Sequence, residues 1–220
     1  MNNIMNKTII SIFGSMGVGK TTIDQHLKKM VPHALYVDEP VDKWLEIKDE
    51  NNINLLDTFY KDKMRWSYTF QNVAFITRLN ALINALSDPT HDIIVMDGSI
   101  ASDKNIYAQM LHDEGFINNL EWQAYNIWEN FYQTNIKKND IYYVYLKCDP
   151  TIIKNRVIKR GRPEELEISI DYFKKLEKYL NKWASEVDPS HLLICDLSCD
   201  ENSSEYDEIL NKITNILLKK

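Results

Sequence analysis

The sequence predicts an α/β fold: a five-stranded parallel sheet with helices packed on both faces. Five short apolar or β-branched runs, at 8–13, 34–37, 92–96, 141–146 and 191–195, alternate with helical patterns. The runs are nearly continuous in hydrophobicity, as strands buried on both faces require, and the helices between them supply the crossovers that parallel neighbours need. The first run then breaks directly into Gly14-Ser15-Met16-Gly17-Val18-Gly19-Lys20-Thr21, a complete GxxxxGK[ST] loop between strand and helix.

In chain order, the first helix is expected over 19–30, where the glycines end. A second spans 41–48 after Pro40, and a long one spans 53–86 with a break near its middle. Ser87-Asp88-Pro89 stops it before the third run. Helices over 102–114 and 118–137 fill the interval to the fourth run. Asp149-Pro150 starts the helix over 150–159, and 166–187 and 204–218 complete the pattern around the last run.

The 220 residues are 44% hydrophobic and include five tryptophans, enough for one sizeable core. No Pro/Gly/Ser-rich stretch or long charge run divides them, so 1–220 reads as a single domain. A formal charge of −6 argues against nucleic acid or an anionic membrane as partner and suits a small anionic cofactor. Cys148, Cys195 and Cys199 lack paired metal spacing and indicate reducing cytosol. With no apolar leader region and no run of 18 apolar residues, secretion and membrane insertion are not expected.

The glycine loop states its chemistry. Consecutive backbone N–H groups and the positive end of a helix dipole converge on one spot, which binds a polyphosphate. The cradle comprises Gly14, Ser15, Met16, Gly17, Val18, Gly19, Lys20, Thr21 and Thr22; Lys20 reaches the β/γ-oxygens and the Thr21 hydroxyl holds Mg²⁺. In parallel sheets, ligands bind beyond the carboxyl ends of the strands. There the chain places Asp38-Glu39-Pro40 after the second run and Asp97-Gly98-Ser99 after the third.

With these motifs the sequence resembles the deoxycytidine/deoxyguanosine kinase family of deoxyribonucleoside kinases over nearly its whole length. The resemblance extends to Glu39-Pro40-Val41 with Trp44, the Trp66 to Gln71 segment, the Ser99 to Asp103 stretch, Glu121-Trp122 with Tyr125 and Trp128, and Arg156 to Glu165. It implies a three-layer P-loop kinase fold with an arginine-bearing lid, and transfer of the ATP γ-phosphate to a deoxynucleoside 5′-OH. Glu39 is then the base that activates the hydroxyl, a role a strand-end carboxylate facing the loop can perform. Asp97 joins Thr21 at Mg²⁺.

By the same resemblance Gln71 reads the nucleobase, its amide offering one donor and one acceptor. Arg78 lies two helical turns beyond Gln71 on the same face, with Ala74 between. In the family an Arg here pairs with an Asp at the position of Asp103, and this polar pattern accompanies deoxycytidine or purine deoxynucleosides rather than thymidine. Trp44 and Phe70 wall in the base, Tyr107 joins the set, and Tyr60 and Glu165 bind the sugar 3′-OH. Arg156, Arg160 and Arg162 form the lid, with Arg160 and Arg162 on the transferring phosphoryl group, and Asp200 contacts the donor base. A homodimer packed through 102–114 and 118–137 is also implied.

One position departs from the family. Gly98 stands where an Arg usually follows the third-strand acid and pairs with the catalytic carboxylate. Two alternatives therefore stay open: a thymidylate-type monophosphate kinase, for which Gly98 supplies no additional cation, and a non-catalytic scaffold of this fold, which has no need for Lys20, Thr21, Glu39 and Asp97 together.

Overall fold

The computed structural model describes residues 7–135 and 141–218. The elements run β1 (Thr8–Gly14), α1 (Lys20–Met30), β2 (Leu35–Val37), α2 (Val41–Glu46), α3 (Leu55–Lys61), α4 (Lys63–Ser87), β3 (Ile93–Asp97) and α5 (Ile100–Ser102). A π-helical segment (Asp103–Ala108) follows, then α6 (Gln109–Asp113), α7 (Asn119–Asn135), β4 (Ile141–Lys147), α8 (Pro150–Arg160), α9 (Ile170–Glu186), β5 (Leu192–Asp196) and α10 (Ser204–Leu218).

The five strands form one parallel sheet in the order β2-β3-β1-β4-β5. With β1 central, Ile12 pairs with Asp97 on one side and Val144 on the other. That register sets the last residue of β3 opposite Ile12, just ahead of the phosphate loop that begins at Gly14.

Strand side chains alternate between two cores. Ile9, Phe13, Ile94, Met96, Tyr143 and Tyr145 face α4, α7 and α9, while Ile10, Ile12, Val95, Val144 and Leu146 face α1, α8 and α10. Phe13 is fixed by stacking on Tyr145 at 5.0 Å and by an edge contact with Trp183 at 4.5 Å. A third cluster joins Trp44 of α2, Leu55, Leu56 and Phe59 of α3, Phe70 and Ala74 of α4, and Leu111 of α6. Part of this cluster lines a cavity at the strand ends.

Three helix expectations need correction. The break in 53–86 falls near its start, where Asp62 leaves helical geometry (φ −140, ψ 79) and its side chain caps α4 by accepting from the Arg65 N–H. The stretch 102–114 is not one α-helix, because residues 103–108 are wound as π-helix between α5 and α6. The helix expected over 166–187 begins at Ile170, since Ser169 caps it by accepting from Tyr172 N–H, and a 3₁₀ turn at Pro163–Glu165 precedes it. The helix expected over 118–137 is seen as Asn119–Asn135; residues 136 and 137 lie outside the described residues.

Candidate active site

Two clefts open at the carboxyl edge of the sheet, and they share Lys20, Thr21 and Arg160. The first, about 260 Å³, lies among α2, α3, α4, the π segment and the lid. Its walls include all ten residues assigned to the acceptor: Glu39, Trp44, Tyr60, Phe70, Gln71, Ala74, Arg78, Asp103, Tyr107 and Glu165. The second, about 650 Å³, is bordered by Gly17 to Thr22, Arg156, Arg160 and Asp200.

The phosphate loop needs its glycines for space. A Cβ on Gly14 would come within 2.5 Å of the Leu146 carbonyl oxygen, a main-chain atom that cannot swing away. Gly14 and Ser15 are buried beneath the loop, and Met16, expected on the donor side, turns into the acceptor cleft, where the Tyr60 hydroxyl meets its Sδ at 3.9 Å. Lys20 Nζ donates to the Ser15 carbonyl at 3.4 Å and lies 3.8 Å from Asp97 Oδ1.

Asp97 is pushed up to about 6, first by burial and then by Glu39, against the pull of Lys20. Its Oδ1 is buried with no hydrogen-bond partner. An unsatisfied carboxylate oxygen beside a threonine at the amino end of α1, both on the same cavity wall, suits a hard divalent cation with oxygen ligands.

In the acceptor cleft Phe59 and Phe70 stack at 4.5 Å, and Trp44 meets Phe70 edge-on at 5.3 Å, so the three rings form one apolar wall of the slot. Gln71 is buried at the slot with its Oε1 unpartnered. Phe59, Leu56 and Tyr172 also line this cleft and were missed. Phe59 and Leu56 read as plain core positions in an amphipathic helix, and Tyr172 carries no motif.

The expected Arg78–Asp103 ion pair is replaced. Arg78 Nη2 donates to Glu39 Oε1, and no ion pair within 4.0 Å joins Arg78 to Asp103. Asp103 instead accepts from the Tyr125 hydroxyl at 3.0 Å. The reason is position: Asp103 opens the π segment, fully buried against Tyr125, while the Arg78 side chain passes over the Trp44 ring at 4.9 Å towards Glu39. Burial raises the Asp103 pKa, partly offset by Arg78 and Tyr125; for Arg78, Glu39 and Asp103 outweigh burial and hold the guanidinium above its ordinary value.

The lid also divides its work differently. Arg156 lies inside α8 and spends its fork on main-chain oxygens, donating to Val18 O and Leu197 O at 2.9 Å each, so it braces the donor cleft's walls. Arg160 donates to Glu165 Oε2 and Arg162 to Glu165 Oε1 at 3.3 Å. Glu165 is thereby buried, and the Tyr60 hydroxyl, raised well above its ordinary pKa by burial with Tyr172 and Glu165 nearby, shares its cleft.

A family model described as deoxynucleoside kinase matches residues 10–219. The chain belongs to the deoxynucleoside kinase family. It is 39% identical over 179 residues to a probable deoxycytidine kinase of fowlpox virus, covering 80% of this chain and 72% of that protein. It is 28% identical over 241 aligned positions to a mitochondrial deoxyguanosine kinase of Xenopus laevis, covering 96% and 90%. Against the deoxycytidine kinase of Homo sapiens the identity is 29% over 194 residues, covering 79% and 74%. These relatives leave the monophosphate-kinase and scaffold alternatives unfavoured.

Proposed function

We propose that this deoxynucleoside kinase transfers the γ-phosphate of Mg-ATP to the 5′-OH of deoxycytidine or a purine deoxynucleoside, in nucleotide salvage. The observation that carries the reading is the shared wall: Lys20, Thr21 and Arg160 border both clefts, where a donor's terminal phosphate and an acceptor's hydroxyl would meet. Glu39 takes the hydroxyl proton as the 5′-oxygen bonds to the γ-phosphorus. The bond from that phosphorus to the bridging oxygen breaks, and ADP leaves with the electron pair. Lys20, Arg160 and Arg162 neutralise charge on the transferring group. Thr21 and Asp97 would hold Mg²⁺, which supplies charge neutralisation at the phosphates.

Gln71, with its unpartnered amide oxygen, and Arg78, with two unpartnered nitrogens, supply the polar contacts to a base lying against Trp44 and Phe70. Tyr60 and Glu165 take the sugar 3′-OH, and Tyr107, whose hydroxyl donates to Gly14 O at 3.2 Å, steadies the sugar side. Asp200 contacts the donor base. Residues 1–220 act as one domain in this reading.

A homodimer is supported by α7, where Leu120, Ile127, Trp128 and Phe131 are exposed, and by Ile76 of α4 beside Trp128 around a shallow groove. The other helix region expected to contribute, 102–114, is unsuited because Ile106, Met110 and Leu111 are buried. All three cysteines are free, which supports a reducing, cytoplasmic setting. Among the described residues no helix is long and apolar enough to cross a membrane.

The test is phosphoryl transfer from Mg-ATP to deoxyadenosine, deoxyguanosine, deoxycytidine, thymidine and their monophosphates. Turnover of deoxycytidine or a purine deoxynucleoside is expected. Activity on thymidine alone overturns the base preference, and activity only on monophosphates overturns the acceptor class.

A further inference from the structure

We infer that Arg78 is a positioning residue for Glu39, so that recognition of the acceptor's base and activation of its hydroxyl pass through one guanidinium. This rests on the proposed function, in which Glu39 is the base.

Among the described residues, Arg78 is the one cation within 4.0 Å of Glu39. The neighbouring strand end adds no cation there: Asp97 is a carboxyl, and Gly98 has φ +75, which disfavours any side chain. The space beside Glu39 is therefore left to Arg78, which arrives from α4, 39 residues away in sequence.

The guanidinium is held firmly. Its side chain is 7% exposed and it lies over the Trp44 ring, which is itself fixed by donating from Nε1 to Thr77 Oγ1 at 3.0 Å. Nη2 occupies Glu39 Oε1, which leaves Oε2 to accept the hydroxyl proton. Nε and Nη1 are buried with no partner. Unsatisfied buried donors carry a free-energy cost that a ligand with matching acceptors removes, and both Gln71 and Asp103 share this cleft wall with Arg78. A base that engages Nε and Nη1 therefore bears on the same fork that aims the catalytic carboxylate, and base identity is read in kcat as well as in KM.

Two acceptors separate this role from base reading alone: a natural deoxynucleoside, and one whose base is a flat apolar ring system with no hydrogen-bonding edge. With Arg78→Met, kcat should fall about tenfold on both acceptors, because Glu39 loses its partner whichever base is bound. Millimolar guanidinium should restore part of that kcat in Arg78→Ala. A fall confined to the natural acceptor, with unchanged kcat on the apolar one, would overturn the inference. Arg78→Lys, which keeps a cation but not the fork, is the second variant should the first fail to fold. Loss of kcat on the apolar acceptor supports positioning, and unchanged kcat there overturns it. Absence of wild-type transfer to every deoxynucleoside would instead overturn the parent reading.

Discussion

Lys20 Nζ stands 3.8 Å from Asp97 Oδ1 across the base of the phosphate loop, tying the first turn of α1 to the end of β3. The contact spans a junction between sequence-distant elements that only the β1–β3 register brings level. It gives the loop lysine a fixed rest position before any phosphate arrives.

Replacing Asp97 by Asn keeps the volume and removes the charge. Turnover should drop by about 100-fold as the cation loses a ligand. The rise in melting temperature that Mg-ATP confers should shrink towards that given by ATP with chelator. Differential scanning fluorimetry with and without Mg²⁺ measures this; an undiminished Mg²⁺ increment would remove Asp97 from the metal site.

Glu39→Gln tests the base directly. kcat should fall by about 10²- to 10⁴-fold, the usual worth of a general base, while ATP affinity measured by titration stays near wild type. Unchanged turnover would assign proton removal to another group.

Asp24, in α1, makes the protein's stability depend on pH. It is buried with Oδ1 unpartnered, and burial, reinforced by Asp97, pushes its pKa from 3.8 up to about 7. The folded state therefore binds more protons than the unfolded state between about pH 4 and 7, so stability falls as pH rises through that window. Asp24→Asn should flatten this decline and raise the melting temperature at pH 8 by a few degrees. Parallel curves for the two proteins from pH 4 to 8 would refute it.

Arg156→Ala removes the donor to Val18 O and Leu197 O. Leaving those carbonyls unmatched should cost about 1–3 kcal/mol of stability, read by urea denaturation. It should also raise KM for ATP several-fold with a smaller change in kcat, because the side chain braces the cleft. A change in kcat alone would place Arg156 at the transferring phosphate.

Ile127→Glu on the exposed face of α7 should yield monomers in sedimentation velocity while the melting transition stays cooperative. A wild-type protein that is already monomeric would show that this apolar stripe serves another purpose.

The strands were legible because burial on both faces leaves an unbroken apolar run, and the phosphate loop because its glycines are dictated by close approach, as at Gly14. The residues assigned to the acceptor came from the resemblance, and the structure gathers all ten around one cleft. What sequence hid was pairing. Spacing put Arg78 on the face of Gln71, yet only the tertiary arrangement decides that its fork goes to Glu39 and not to Asp103. Likewise three closely spaced arginines look equivalent, but Arg156 is inside a helix facing carbonyls while Arg160 and Arg162 both reach Glu165. The break at Asp62 was misplaced because its cap depends on one side-chain hydrogen bond.

The π-wound stretch of residues 103–108 carries a consequence for how this gene can change. Such a stretch holds an extra residue relative to ordinary helical winding. Deleting Lys104 would let the chain relax to 3.6 residues per turn and keep the elements on either side in register, because the residue removed is the one the wider turn absorbs. Asp103 and Tyr107, four residues apart across that stretch, both line the first cleft. A one-codon deletion here should therefore leave a folded protein in which the two stand three residues apart, still on one helix face but shifted about its axis, so the wide turn sets the spacing of these side chains and not the survival of the fold.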